Sequence, residues 1–182
     1  MGRPLRLLVV SHAFPPIGEV GSLRIAHLCR YLRDYNVEPI VLTLHEKFYD
    51  TCDQTLGEPA DVRVLRTTMM RNPLYWYEKV RKRFRSSSPG DCALRTTVIR
   101  RKDNNFLRRH ILALIQFPDR NLGWYWPAIR AAEQLLRTER VDAMLSSGPP
   151  WIAHLIAHRL KEKFAIPWLA DFRDPWATLM PV

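Results

Sequence analysis

The chain has 182 residues, 47% of them hydrophobic, which suits one domain with a sizeable core and excludes a disordered chain. Its net charge of +10 points to an anionic partner, and its apolar runs, such as 7–10 and 111–115, fall far short of the ~20 residues that cross a bilayer.

The run 5–10 is continuously apolar and ends in Ser11-His12-Ala13-Phe14-Pro15-Pro16, the pattern of a buried strand closed by a turn. The start of the chain is basic and then briefly apolar, but too short for a signal peptide and without a small-residue cleavage site. Arg6 stands where a myristoylated chain carries Ser or Thr, so a cytoplasmic protein is expected. A loop with Gly18 and Gly21 follows. Ser22 is the expected N-cap of a helix over 23–34 whose Leu23, Ala26, Leu28, Cys29 and Leu32 lie mostly on one face. Cys29 reads as core filler; Cys52 and Cys92 are far away and no pair has metal-ligand spacing. The β-branched run 37–44 predicts a second strand and 62–66 a third.

The stretch 69–117 differs from the rest. It holds twelve basic and three acidic residues, nine of the ten net charges. Helices are expected over 75–84, with Trp76, Tyr77, Val80 and Phe84 on one face and Arg81, Lys82, Arg83 and Arg85 around them, and over 106–117, separated by a break at 86–90. The alternation then resumes: a helix over 126–138 with Pro127 in its first turn, a strand over 141–146, a Ser-Ser-Gly-Pro-Pro turn, a helix over 151–164 and a strand over 166–171. Strands alternating with helices predict an α/β fold, a parallel sheet with helices on both faces and one basic helical excursion.

Ligands of such sheets bind beyond the C-terminal strand ends. Three loops leave those ends: 11–21, 146–150 and 172–176. The first has two glycines ahead of a helix N-terminus, which attracts anions, yet its Gly-x-x-Gly spacing is neither a dinucleotide fingerprint nor a P-loop and by itself reads as an ordinary turn. His154 and His158 share a helix face, but with no glutamate between them and no third ligand they make no zinc site. His154 reads either as a cleft histidine or as a packed one. Asp171-Phe172-Arg173-Asp174 is either an internal Arg–Asp brace or a polar cluster that grips hydroxyls or acts as a base.

Four segments resemble the N-terminal domains of family 4 glycosyltransferases. They are Phe14-Pro15-Pro16 with Gly21-Ser22 and Arg24, Pro118-Asp119 with Gly123-Trp124 and Pro127-Ala128, Ser147-Gly148-Pro149-Pro150 with His154-Leu155, and Pro167 to Trp176. They occur in the family's order and span about 1–66 and 118–176, leaving 69–117 unmatched. The resemblance implies a Rossmann-like domain that binds the acceptor and faces a second such domain that grips a nucleotide sugar through a Glu-x7-Glu motif. It implies retaining transfer to a glycan acceptor, lipid-linked ones included, with no metal and no cofactor beyond the nucleotide sugar as co-substrate. Carried onto this chain, the cleft positions are His12, Gly18, Gly21, Arg24, Ser147, Gly148 and His154, and the catalytic cluster is Asp171, Arg173 and Asp174. The sequence departs from the family's paired glycines at Gly18-Glu19-Val20-Gly21. Ending at Val182, the chain is expected to lack the donor-binding domain, to need it in cis or in trans, and to be inactive alone.

Two other classes compete. A nucleic-acid-binding module would use the net charge with Tyr75, Trp76 and Tyr77, but no nucleic-acid motif accompanies them. A membrane-surface module would set Trp76, Arg81, Lys82, Arg83 and Arg85 on an anionic leaflet at the inner face of the cell membrane, a role compatible with a lipid-linked acceptor.

Overall fold

The computed structural model describes residues 2–49, 53, 56, 57, 59, 61–70 and 121–174. The helices expected over 75–84 and 106–117 lie outside the described residues, as do Trp76, Arg81, Lys82, Arg83 and Arg85.

Five strands form one sheet: β1 (Leu5–Ser11), β2 (Val37–Leu44), β3 (Arg63–Thr67), β4 (Ala143–Gly148) and β5 (Trp168–Phe172). They lie in the order β3-β2-β1-β4-β5 and every neighbouring pair is parallel. Among the described residues three α-helices flank it: α1 (Val20–Asp34), α2 (Tyr125–Thr138) and α3 (Ile152–Phe164). The two-residue period of a strand divides the core into two layers. Val9, Val41 and Leu145 face α1 through Ile25, Ala26 and Cys29. Leu8, Val10, Ile40, Leu42 and Met144 face the other way, against Ala128, Ile129, Ala132 and Leu135 of α2 and Ile152, Ile156 and Leu160 of α3. This is a Rossmann-like α/β arrangement. The chain leaves β1 toward β2 on one side and returns to β4 on the other, so the crevice of a doubly wound sheet opens between β1 and β4.

The element boundaries correct the sequence reading in two places. Ser22 is not the N-cap of α1. The helix starts at Val20, after Glu19 in an extended conformation (φ −102°, ψ 146°), and Glu19 O accepts from Ser22 N at 2.9 Å. Ser22 is therefore the third helical residue, fully buried, with its hydroxyl unpartnered. The fourth strand begins and ends two residues later than expected; just ahead of it Asp142 is tied to Arg6 of β1 twice, its backbone N–H to Arg6 O at 2.9 Å and its carboxylate to the Arg6 N–H at 3.0 Å. Ser147 and Gly148, expected in the turn, are strand residues paired with Asp171 and Phe172.

Candidate functional site

The sheet register brings two predicted positions, Ser147 and Asp171, into one row with Ser11. Ser11 of β1 is level with Ser147 of β4, which is level with Asp171 of β5. Ser11 turns its hydroxyl back onto Ala13 O at 2.8 Å, closing the strand end. Ser147 donates to Asp171 Oδ2 at 2.9 Å. Asp171 also receives both terminal nitrogens of Arg24 from α1, with Nη2 to Oδ1 at 3.1 Å and Nη1 on Oδ2. The Arg24 hydrogen bonds, with that of Ser147 and against partial burial, hold the Asp171 carboxyl below the usual carboxylate range. Asp171 is thus an anion with both oxygens engaged, and it braces this strand end. The arginine that braces it comes from α1 and not from its own loop.

Arg173 is consequently available for something else. Its backbone N–H bonds Gly148 O at 3.1 Å, and its guanidinium makes a loose 3.7 Å contact with the half-exposed Asp174. The side chain reaches across to α1, where a Cβ on Gly21 would lie 2.5 Å from Nη1. A guanidinium fits at Gly21 because that residue has no side chain. The first turn of α1 carries no acidic residue and no side-chain cap. The backbone N–H groups of Val20 and Gly21 have no partner among the described residues. A positive helix end with uncommitted amides beside an arginine can attract an anion. Gly18 packs on Asp53: a Cβ there would lie 3.3 Å from Asp53 Cβ, and Asp53 N bonds Pro16 O at 2.7 Å.

The two predicted histidines are both buried. His12 places its edge against Tyr49 and Trp124, with centroids 5.1 and 5.3 Å away, and its Nδ1 is 2.7 Å from the Tyr49 hydroxyl. Burial lowers its pKa to about 4, so it is neutral at pH 7. Behind it a polar ladder ties the second motif segment to the first: Trp124 Nε1 donates to Thr67 Oγ1 at 2.6 Å, Thr67 donates to Thr43 O at 3.1 Å, and Thr43 donates to His12 O at 2.8 Å. His154 is 4% exposed, stacked with Trp151 and 4.4 Å from the Phe172 ring centroid. Its Nε2 touches Gly148, where a Cβ would be 2.6 Å away. His158 is on the surface, edge-on to Trp168. Among the described residues no three potential ligands gather as a metal site.

Sequence reasoning missed Tyr49, Arg66, Ser146 and Trp168. Arg66 of β3 donates to Pro15 O and thereby holds the first loop. Ser146 and Trp168 lie on the same strands as Ser147 and Asp171, and only the placement of β4 beside β5 brings them together at His154.

No family model and no curated protein matches the chain. Among solved structures, the C-terminal domain of a hydrogenase from Pyrococcus furiosus is similar, at 12% identity and a TM-score of 0.45 over 94% of each chain. Among the described residues no helix is long and apolar enough to cross a membrane.

Proposed function

We propose that the chain is the acceptor-side Rossmann-like domain of a family 4 glycosyltransferase, working opposite a domain that holds a nucleotide sugar. The observation that supports this reading is convergence. The segments that carry the resemblance lie far apart in sequence, yet three meet in the Arg24–Asp171–Ser147 network and the fourth supports His12 through Trp124.

The chemistry available there suits departure of a nucleoside diphosphate. Charge grows on the leaving phosphate as the glycosidic bond breaks, and fixed donors aimed at it lower the barrier. The amides of Val20 and Gly21 with the Arg173 guanidinium would supply such donors from this side. Arg24, Asp171 and Ser147 hold α1 against β5, which fixes the distance between helix end and guanidinium. Asp174, half-exposed and only loosely paired with Arg173 at 3.7 Å, would bind an acceptor hydroxyl. The wider proposal keeps the basic stretch 69–117 as the contact with an anionic membrane that presents a lipid-linked acceptor, resting on its charge alone.

The test is loss of the gene in its host followed by profiling of cell-surface polysaccharides and glycolipids. Disappearance of one glycan, with build-up of its shorter precursor, is expected. An unchanged profile, together with turnover of no sugar by the chain assembled with any donor domain, would reject the proposal.

A further inference from the structure

The hydrogen bonds around Ser146 decide which nitrogen of His154 carries the proton. Ser146 sits in β4, fully buried, and has two polar neighbours among the described residues. Trp168 Nε1, which only donates, reaches Ser146 Oγ at 2.8 Å. His154 Nδ1 is 2.7 Å from the same oxygen. The serine oxygen therefore accepts from the indole, and its single proton has one acceptor in reach, His154 Nδ1. With Nδ1 accepting, the neutral ring carries its hydrogen on Nε2. The opposite arrangement, Nδ1–H donating to Ser146, strands the serine proton with no acceptor and leaves a bare lone pair on Nε2, so two buried groups go unsatisfied in place of one. Burial keeps the ring neutral by lowering its pKa, against the opposing field of Asp171.

We propose that Ser146, anchored by Trp168, is a positioning residue that locks His154 as an Nε2–H hydrogen-bond donor at the C-terminal end of β4, for an oxygen of the bound ligand. The Nε2 atom has no partner and is buried beside Gly148, whose carbonyl holds the Arg173 backbone. Trp151 and Phe172 flank the ring and fix its plane. A rigid neutral donor suits either a phosphoryl oxygen or a sugar hydroxyl, and its strength does not change with pH near neutrality as that of an imidazolium would. The donor role rests on the rim being a ligand site, as proposed above; the lock itself does not.

Long-range proton–nitrogen NMR spectra of histidine-labelled protein at neutral pH read the tautomer directly, and His154→Gln assigns the signal. The wild type is expected as Nε2–H alone. Ser146→Ala removes one hydroxyl from the core, and an Nδ1–H signal is expected to appear; Trp168→Phe, on the edge strand, is expected to give a smaller fraction of it. Backbone amide spectra check that both variants keep the fold. An Nδ1–H ring in the wild type, or an unchanged tautomer in both variants, overturns the lock. Pyrophosphate and methyl α-D-glucopyranoside are then titrated separately. A shift of the His154 Nε2 proton with one of them supports the donor role and identifies the ligand oxygen as phosphoryl or hydroxyl. Shifts of the Val20 and Gly21 amides with a silent Nε2 overturn the donor role while the anion site stands. Silence of amides and imidazole with both probes removes the ligand site and the donor role together.

Discussion

Arg24 and Asp171 are 147 positions apart in sequence and form a two-pronged ion pair that ties α1 to the end of β5. Asp171 was expected in the catalytic cluster, and the pair gives it a bracing part: both oxygens are engaged, one of them shared with Ser147. Asp171→Asn should therefore lower stability by about 1 kcal/mol, the upper range for a partly exposed pair. The sign of its pH dependence follows from the depressed carboxyl pKa. Stability from this group is present above the ordinary aspartate pKa of ~3.9 and is lost as pH falls through the lower folded value. Urea unfolding at pH 7 and at about pH 3 checks both parts. The wild-type advantage over Asp171→Asn should be present at the first and shrink at the second; an equal difference at both would deny the pair its role.

Gly148 is fixed by His154. An alanine there would put its Cβ 2.6 Å from Nε2, 3.1 Å from Cδ2 and 3.2 Å from Trp151 Cε3, all stacked side chains with little room to move. Gly148→Ala should cost ~1–3 kcal/mol, as overpacking in a close-packed region does. In a His154→Ala background the same change should cost much less. A double-mutant cycle measured by denaturation gives the coupling, and additive effects would mean that the ring is not what excludes the side chain.

His12 makes a pH prediction of the opposite chemical kind. Its folded pKa, about 4, lies below the ordinary histidine value of 6.5 because the ring is buried. The unfolded chain takes up the proton first, so stability declines as pH falls from about 6.5 toward 4, by up to roughly 3 kcal/mol for this one group. His12→Asn keeps an amide near the Nδ1 position facing Tyr49 and removes the titration. Its stability at pH 7 should be lower, since the edge contacts with Trp124 and Tyr49 go, yet its decline between pH 6.5 and 4.5 should be shallower. Parallel slopes for the two proteins would contradict the assignment.

The strands and the parallel character of the sheet were legible because 5–10, 37–44 and 141–146 are short apolar runs with breakers between them, a signal of local chemistry. The loops that gather at the strand ends followed from that topology. The helix start was misread because Ser22 has the composition of an N-cap, while the actual cap is set by the extended backbone of Glu19, which composition does not encode. The partners within the site were illegible for a different reason. Arg24 meets Asp171, and Ser146 meets Trp168 and His154, only after β4 is placed between β1 and β5. Such contacts depend on register, and a single sequence carries no trace of which rows align.

The last prediction concerns the anion site. Arg173 lies against Gly21 at the start of α1, with the Val20 and Gly21 amides beside it. Arg173→Ala should weaken pyrophosphate binding about 5- to 10-fold, the loss of one charge-assisted contact at a partly exposed position. It should also flatten the dependence of that binding on salt, because a screened cation has been removed. Gly21→Ala approaches the same place from the other side. The new Cβ would meet Nη1 at 2.5 Å and Cζ at 3.6 Å, the far end of a flexible side chain, so the guanidinium swings aside and the fold loses little, under ~0.5 kcal/mol. Pyrophosphate affinity should nevertheless fall toward that of Arg173→Ala. Arg130→Ala, on the exposed face of α2, serves as a charge control and should bind as the wild type does. Calorimetric titration of the four proteins at low and at physiological salt reads all of this. If Arg173→Ala and Arg130→Ala lose affinity equally, the attraction is only the net charge of the chain, and the helix end with its arginine is not the phosphate site.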